Sequence, residues 1–235
     1  MLSKIKQSWK VKDVRRRILY TLMMILIFRI GTTIPVPGVD TSIISKLVSG
    51  NSLLALYNMF TGGAFSNFTL FALGIGPYIT ASIIIQLLTV GFESLKELQK
   101  SGEEGRKKLA EITRYVTVAL ALIESTAMTI GFANQGLFNT DTITISNMST
   151  FRHVGVIVMG VVAMTAGSAA LMWIGEQITE KGVGNGISIV LVINIVSRMP
   201  SDIAGLFTNY VTGASSIGGK LLAIIIIIAV VVGII

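Results

Sequence analysis

Long apolar stretches separated by short polar segments run through the chain of 235 residues. A helix needs roughly 20 apolar residues to cross a bilayer. On that basis the pattern predicts spans at residues 18–34, 68–90, 112–133, 154–174, 186–196 and 219–235, of which the fifth is short and the sixth incomplete. Apolar blocks of this length, instead of short alternating runs, predict an all-α, polytopic transmembrane helix bundle.

The composition agrees with a membrane protein. Hydrophobic residues make up 52% of the chain and charged residues 13%, about half the charged share of a soluble domain. The mean hydropathy is +0.76. The net charge of +7 lies largely beside the apolar stretches, which favours a membrane surface over nucleic acid as the partner. The sequence has no cysteine, so we expect no disulfide and no thiolate metal site. It has no His-Glu-x-x-His and no Walker sequence, and no cofactor is expected.

Lys and Arg residues are divided unevenly between the two sides that these spans define. Seven precede the first span, six lie in or beside the loop between spans two and three, and one follows span four, whereas the opposite side has four. Cytoplasmic loops carry the excess of positive charge, so the N-terminus is predicted to be cytoplasmic. Ile34-Pro35-Val36-Pro37 follows the first apolar run where a signal peptide would have a small-residue cleavage site, which indicates a retained span.

The predicted external segment at residues 35–67 is not plainly hydrophilic. Within it, residues 51–60 are apolar but number only ten, so we expect them to lie at the interface or to re-enter the membrane. Thr61-Gly62-Gly63 then offers a flexible break before span two. Non-helical backbone at membrane depth is tolerated only against protein or a water-filled cavity, so this segment indicates a cavity.

Span two carries many glycine, proline, hydroxyl and amide residues for a helix in lipid. Glycine lets helices approach closely, and proline frees a backbone carbonyl that needs another partner. Ile75, Ile79 and Ile83 recur at a spacing of four and are therefore expected on one face. A ring of branched apolar side chains can gate a pore by dewetting, although ordinary helix packing explains the same stripe.

Arg29 and Glu124 are charged residues within predicted spans, where charge is costly and usually paired or functional. Arg29 lies near the end of span one and can extend to the interface. Glu124 is in the middle of span three, where a structural pair or a hydrogen bond to a neighbouring helix competes with a role in a proton relay. His153, the one histidine, is interpreted as an interfacial residue and not as a metal ligand.

The stretch from Gly175 to Gly186 contains four glycines and is predicted to be a loop. Its Gly-x-Gly-x-Gly pattern is a weak nucleotide-binding signal, because a membrane span and not a strand precedes it. Gly182 and Gly186 also form a Gly-xxx-Gly pair, but in a loop such a pair is a poor dimerisation motif. A turn that begins span five explains these glycines better.

Two longer stretches carry a family resemblance: residues 58–90, NMFTGGAFSNFTLFALGIGPYITASIIIQLLTV, and residues 171–189, LMWIGEQITEKGVGNGISI. Both closely resemble SecY, the central subunit of the bacterial protein-conducting channel. The Ile-Pro-Val-Pro-Gly passage at 34–38 and the Glu-Glu-Gly-Arg-Lys-Lys run at 103–108 resemble it too. The resemblance covers essentially the whole chain and implies the first half of a pseudosymmetric channel.

The SecY family has ten spans in two halves of five, and its pore forms between them. The resemblance therefore implies a cytoplasmic N-terminal segment at residues 1–17, a five-span N-terminal half at 18–218 with a plug-like segment at 51–67, and an incomplete sixth span at 219–235. A chain of this extent is expected to be an N-terminal-half fragment that does not form a complete pore or translocate protein alone.

Matched position by position, the resemblance implies three functional groups. A hydrophobic pore ring on spans two and five would include Ile75, Ile79, Ile187 and Leu191. One half of a lateral gate, where signal sequences intercalate, would include Thr80, Ile83 and Gln86. A plug that blocks the outer funnel would comprise Asn58, Met59, Phe60, Thr61, Gly62, Gly63, Ala64 and Phe65.

The resemblance also implies partners and a location. These are the subunits SecE and SecG, a SecA motor or a ribosome, signal sequences and unfolded secretory proteins, and the lipid of the bacterial plasma membrane. From the residues alone, a secondary transporter with interrupted helices is the alternative, although Gln86, Asn185 and Asn194 are a thin set of ligands. An intramembrane enzyme would need a nucleophile with a base or paired carboxylates, so no enzymatic activity is expected.

Overall fold

The structure is a computed structural model that describes residues 11–133 and 150–206. In these ranges the helices are α1 Lys12–Gly31, α2 Thr41–Gly50, α3 Ser52–Phe60, α4 Gly76–Gly91, α5 Glu93–Lys100, α6 Glu103–Ala133, α7 Thr150–Lys181 and α8 Gly186–Leu206. The described residues contain no strand, only an isolated bridge between Pro35 and Thr69. The all-α prediction is confirmed, whereas the predicted sixth span lies outside the described residues.

The chain divides into two compact units, Met1–Asn194 and Ile195–Ile235. The first contains α1 to α7 and the first part of α8, together with every predicted site residue. The second is described only for residues 195–206, which continue α8.

α6 and α7 are the two helices in the described ranges that are long and apolar enough to cross a membrane by themselves. They contain predicted spans three and four, and both extend beyond the predicted bounds. Ser125 of α6 and Thr165 of α7 share a hydrogen bond of 2.9 Å between their hydroxyls. The buried face of α6 carries a small or hydroxyl residue every four positions: Thr113, Thr117, Ala121, Ser125 and Thr129. Such residues let membrane helices pack closely and add polar contacts between them.

α1 begins at Lys12 and ends at Gly31, so it is shifted toward the N-terminus from the predicted span at 18–34. α1 has too many charged residues to be counted as a membrane span by itself, because several basic residues lie in its first half. The helix is anchored by its C-terminal turn, where the rings of Phe28 and Phe71 stack with centroids 5.8 Å apart. A Cβ at Gly31 would overlap the Phe71 ring, so only glycine permits this approach.

α2 and α3 are short helices, each capped by a polar side chain. Asp40 accepts a hydrogen bond of 2.9 Å from the backbone N–H of Ser42, and Asn51 accepts one of 3.0 Å from that of Leu53. These caps satisfy backbone donors at the first turns. α3 has nine residues and cannot span a membrane, as its sequence predicts.

Predicted span two is not a single straight helix. α4 begins at Gly76 and not at residue 68, and Pro77 in the first turn favours that start because its fixed φ suits a helix. α4 and α5 meet at a bend of 103°, and only together do they reach the length and hydropathy of a span. Residues 93–100, predicted as part of a loop, form α5 because they are mostly strong helix formers.

Residues 61–75 form consecutive turns where the sequence pattern predicts the beginning of span two. The backbone N–H of Val36 donates to the carbonyl of Phe68 at 3.0 Å, and that of Leu70 donates to the carbonyl of Ile34 at 3.1 Å. These bonds explain how a buried non-helical segment is tolerated, since its polar backbone groups are satisfied by the protein. The apolar pattern alone could not distinguish such a segment from a helix.

α8 begins at Gly186, as predicted for span five, but continues through Pro200 to Leu206. The helix therefore extends beyond the predicted span at 186–196. A helix can continue past proline because the ring removes only one backbone donor and neighbouring groups can satisfy the freed carbonyl.

Candidate functional site

The predicted plug residues form a compact turn at the end of α3. The side-chain oxygen of Asn58 accepts from the backbone N–H of Ser66 at 2.9 Å, and the Asn58 carbonyl accepts from that of Gly63 at 2.9 Å. Gly62 and Gly63 have φ values of 65° and 90°, which suit glycine. The break predicted at residues 61–63 is thus a hydrogen-bonded turn. Of the eight predicted plug residues, Phe60 is exposed, whereas Ala64 and Phe65 are buried.

This turn lies directly against α8. A Cβ at Gly62 would stand 2.8 Å from Oδ1 and 3.2 Å from Cα of Asn194. Asn194 is itself buried. The predicted plug residues 58–65 are therefore in close contact with α8, which carries two of the predicted ring residues. This contact leaves room only for a glycine at position 62.

The four predicted ring residues come together in one hydrophobic cluster. Ile75 is buried at 5% exposure, and Ile79, Ile187 and Leu191 are partly buried against the same cluster. Ile75 lies one position before α4, but its carbonyl accepts the backbone N–H of Ile79 at 3.1 Å, so the two residues are stacked along the helix axis. The structure thus joins residues that are more than a hundred positions apart in the sequence.

A cavity of about 390 Å³ lies beside this cluster. Ile79, Ile83 and Ile187 give it an apolar lining, and Tyr78, Ser82, Thr179 and Asn185 give it a polar one. Two further residues on its wall form an ion pair, in which Nε of Arg114 lies 2.9 Å from Oε1 of Glu176. The cavity therefore combines an apolar surface with polar and charged groups that can form hydrogen bonds.

The chain is similar in sequence to known proteins. The sequence model of SecY matches residues 69–235. The protein translocase subunit SecY of Streptococcus gordonii is 41% identical over 213 residues, which are 90% of this chain and 47% of that protein. The SecY of Bacillus subtilis is 42% identical over an aligned region of 241 positions, which covers 100% of this chain and 54% of that protein. The chain belongs to the SecY family. It spans about half the length of the curated SecY relatives that it matches.

Solved structures support the same fold. A structure described as that of a protein conducting channel and one of Sec61 in the canine ribosome-channel complex each match with a TM-score of 0.56 and 20% identity. Each match covers 86% of this chain and 39% of the other chain. Membership in SecY places the chain in a family of protein translocation channels and not in an enzyme family.

Against this SecY framework, the predicted gate residues occupy the exposed side of α4. Thr80 and Gln86 are exposed, and Ile83 is 52% exposed. The Gln86 amide donates to the hydroxyl of Ser82 at 3.2 Å. The opposite face of α4 is buried through Pro77, Ala81, Ile85 and Thr89. The three gate residues therefore share a face that the described part of the chain leaves open.

The glycine-rich stretch from Gly175 to Gly186 is mostly helical, so the prediction of a loop from Gly175 is wrong. α7 continues to Lys181, and only residues 182–185 connect it to α8. Asn185 begins α8 by accepting a hydrogen bond of 3.0 Å from the backbone N–H of Ile187. The glycines permit the close contact of the two helices, since a Cβ at Gly186 would overlap the carbonyl oxygen of Gly175.

The predicted intramembrane charges differ in their surroundings. Glu124 is half-buried in an apolar groove between α3 and α6. Arg29 lies in the last turn of α1. The side chain of His153 lies outside the described residues. Sequence reasoning missed the pair of Arg114 and Glu176, although Arg114 lies near the start of the predicted span at 112–133 and Glu176 just after the end of the one at 154–174, on the same predicted side of the membrane.

Proposed function

We propose that this chain forms one half of the wall of a protein-translocation channel in the bacterial plasma membrane, with its N-terminus in the cytoplasm. Family membership supports a channel over a secondary transporter. The main support for this proposal is that Ile75, Ile79, Ile187 and Leu191 gather in one hydrophobic cluster, beside a cavity with both apolar and polar lining residues. Such side chains fit loosely around an extended polypeptide and bind none of its groups strongly. A narrow ring of them also excludes water, and with it ions.

The turn at residues 58–65 would act as a plug above this ring, and Thr80, Ile83 and Gln86 would line one side of a lateral gate. The proposed plug already contacts α8 through Gly62, which would hold the channel closed at rest. The proposed gate face is exposed and could receive the second half of the channel or a signal sequence. No residue here needs to supply energy for transport, which would come from a SecA motor or a ribosome.

The remaining parts follow the same proposal. Residues 1–17 would be a cytoplasmic segment, 18–218 the five-span half with its plug-like segment at 51–67, and 219–235 part of a sixth span. SecE and SecG would be partner subunits, and signal sequences and unfolded secretory proteins the substrates. The relatives of twice this length supply the reason to expect that a second half completes the pore.

Replacement of the four ring residues by glycine tests the proposal in an assembled channel of full SecY length. We expect ion leak through the resting channel and export of proteins with defective signal sequences, because the apolar seal is removed. Glycine also destabilises helices by about 1 kcal/mol per residue, so a matched control is needed. Glycines at the exposed positions Ile84, Leu122, Ile123 and Ile130 should leave the channel sealed. Equal leak in both variants, or none in the ring variant, would contradict a ring at these positions.

A further inference from the structure

The N-terminal half of α1 is in contact with the short connection between α7 and α8. The backbone N–H of Val183 donates to the hydroxyl oxygen of Thr21 at 3.2 Å, and Nη1 of Arg17 donates to the carbonyl of Gly182 at 3.4 Å. These bonds join residues 162 and 165 positions apart in the sequence. They connect the first turns of α1 to the glycine-rich stretch, and neither region supplies a residue of the proposed ring, plug or gate.

Thr21 is the centre of this contact. Its hydroxyl donates its one proton to the carbonyl of Arg17 at 2.9 Å, which leaves the oxygen able to accept from Val183. The residue is buried at 8% exposure. A Cβ at Gly182 would stand 2.5 Å from the same oxygen, so the glycine lets α1 come this close. Thr21 thus supplies, from another helix, the acceptor for a backbone donor just beyond the end of α7.

Two neighbours of Thr21 hold the same end of α7. The guanidinium of Arg17 lies at a carbonyl beyond the last helical residue, where the partial negative charge of the helix dipole favours a cation. The Tyr20 hydroxyl donates to Oε1 of Gln177 at 3.2 Å, one turn earlier in α7. Together these three residues of α1, Arg17, Tyr20 and Thr21, form a polar clasp.

The connection held by this clasp leads directly into the proposed ring. It consists of residues 182–185, and the backbone N–H of Gly186 at the start of α8 donates to the Thr179 hydroxyl at 2.9 Å. Ile187 follows at once, and Leu191 comes about one helical turn later. Because so short a connection cannot absorb a displacement, a shift within it would move both ring positions on α8.

α1 also reaches the cluster that contains the ring. Met24 and Phe28, about one and two turns beyond Thr21, are buried in that hydrophobic cluster. Val190 of α8 is buried in it as well, at 0% exposure. Apolar contacts therefore hold α1 against the cluster, and the clasp holds α1 to the point where α8 begins.

We propose that Thr21 is a positioning residue of the channel. Its clasp holds the connection between α7 and α8, so that α8 begins where Ile187 and Leu191 fit the ring. Release of the clasp loosens the first turns of α8 and opens the apolar seal. The consequence for the seal rests on the proposed function, whereas the effect on α8 does not.

The absence of cysteine from the sequence allows one buried thiol to report on α8. Val190→Cys places it in the ring cluster, in an assembled channel of full SecY length that has no other cysteine. Its labelling by a small maleimide under native conditions requires local opening of α8. Thr21→Val keeps the branched shape but removes the hydroxyl, and we expect labelling about tenfold faster, equivalent to about 1.4 kcal/mol less protection. Thr21→Ser keeps the hydroxyl and should restore the slow rate.

Two matched controls separate the clasp from general loosening of the protein. Thr126→Val removes a hydroxyl that bonds at 2.7 Å to the carbonyl of Leu122 in its own helix, so it should leave the labelling of Val190→Cys unchanged. Val36→Cys places a thiol at a position that is 1% exposed in the other hydrophobic cluster. Thr21→Val should not change the labelling rate of that thiol.

The functional readout is the seal itself. In the channel without cysteine, Thr21→Val should increase ion leak and the export of proteins with defective signal sequences, and Thr21→Ser should increase neither. A contact that only adds stability would lower the melting temperature without changing leak or export. The variant with glycine at all four ring positions is measured beside it and shows whether the ring is a seal.

An unchanged labelling rate of Val190→Cys with Thr21→Val would overturn the proposal, as would an equal rise for Val36→Cys or an equal rise with Thr21→Ser. Faster labelling without leak, beside a ring-glycine variant that leaks, would show a structural contact only and would also refute it. If the ring-glycine variant does not leak, the proposed function fails, and the labelling rates still decide whether Thr21 positions α8.

Discussion

Single glycines decide how closely the parts of this molecule approach one another. A Cβ at Gly186 would overlap the carbonyl of Gly175, and one at Gly182 would stand 2.6 Å from the carbonyl of Ile178. Gly182 and Gly186 therefore permit close contact, whereas Gly184 between them, with φ of 70°, permits a backbone conformation that other residues rarely adopt. The distinction matters because a substitution at a contact glycine displaces a helix.

Gly186→Ala is expected to lower the stability of the chain in detergent by about 1–3 kcal/mol, because α7 and α8 must separate to admit a methyl group. Gly155→Ala in α7 is the matched control, since its Cβ would meet nothing within 4 Å. Removal of a helical glycine should there be neutral or stabilise by up to about 1 kcal/mol. Thermal or denaturant unfolding measures both, and equal effects would rule out the contact explanation.

Asp40 makes the start of α2 sensitive to acid. Hydrogen bonds from the side chain and the backbone of Ser42 lower the pKa of Asp40 below its usual value of about 3.9. Because the pKa is lower in the folded chain than in the unfolded one, the cap stabilises α2 fully at a pH above the usual aspartate pKa. This stabilisation is lost as the pH falls through the lowered pKa.

The expected result is an acid transition of the Ser42 amide, followed by NMR in a membrane mimetic, with its midpoint below the usual pKa of aspartate. Asp40→Asn keeps a capping oxygen and should remove the transition while α2 remains formed. A transition at the ordinary pKa, or one that persists with asparagine, would show that the cap does not involve the carboxylate.

The limits of sequence reasoning are clearest for contacts between distant residues. The ring positions were found by resemblance, but nothing local to residues 75–79 indicates that Ile187 and Leu191 pack in the same cluster. The pair of Arg114 and Glu176 joins residues 62 positions apart. Pairs of this kind depend on how α6 and α7 are aligned, which a hydrophobic pattern does not specify.

Among the helices, the long apolar ones were predicted best and the interrupted ones worst. Spans three and four correspond to α6 and α7, because some 20 consecutive apolar residues allow few other structures. Span two was misplaced at its start, because residues 68–75 are as apolar as a helix yet form turns satisfied by the segment at 34–36. Hydropathy indicates that a segment is buried, but it does not show which groups accept and donate the hydrogen bonds of its backbone.

The hydroxyl contact between α6 and α7 should contribute measurably to their association. In a double-mutant cycle of Ser125→Ala and Thr165→Val, we expect a coupling of about 0.5–1 kcal/mol, the range found for hydrogen bonds between membrane helices. Thr126→Ala replaces Ser125→Ala in a control cycle, since the Thr126 hydroxyl bonds to the carbonyl of Leu122 in its own helix. Unfolding free energies in detergent should show no coupling there, and equal coupling in both cycles would contradict a direct bond.

For the molecule as a whole, departures from ideal membrane helices coincide with the proposed path. α3 is too short to span, residues 61–75 are non-helical, and α4 reaches the length of a span only with the bent α5. α6 and α7, which are long and apolar enough to span alone, contribute none of the proposed ring, plug or gate residues. Regular helices face lipid readily, whereas irregular backbone needs protein or water around it.

The predicted orientation of the chain rests on its positive charge, with fourteen Lys and Arg residues on one predicted side and four on the other. Ser101, between α5 and α6, should therefore be cytoplasmic, and Ser49, in α2, should be external. Both are exposed, and the chain has no cysteine of its own, so Ser101→Cys and Ser49→Cys can be compared without background.

A membrane-impermeant maleimide applied to intact cells is expected to label Ser49→Cys and to leave Ser101→Cys unmodified until the membrane is permeabilised. Labelling of both variants after permeabilisation is the control that each cysteine is reactive. Two helices, α5 on one side of Ser101 and α6 on the other, carry the basic residues that predict a cytoplasmic turn, including Lys96, Lys100 and Arg106. Labelling of Ser101→Cys in intact cells would invert the orientation, and the cavity beside Arg114 and Glu176 would then open to the outside instead of the cytoplasm.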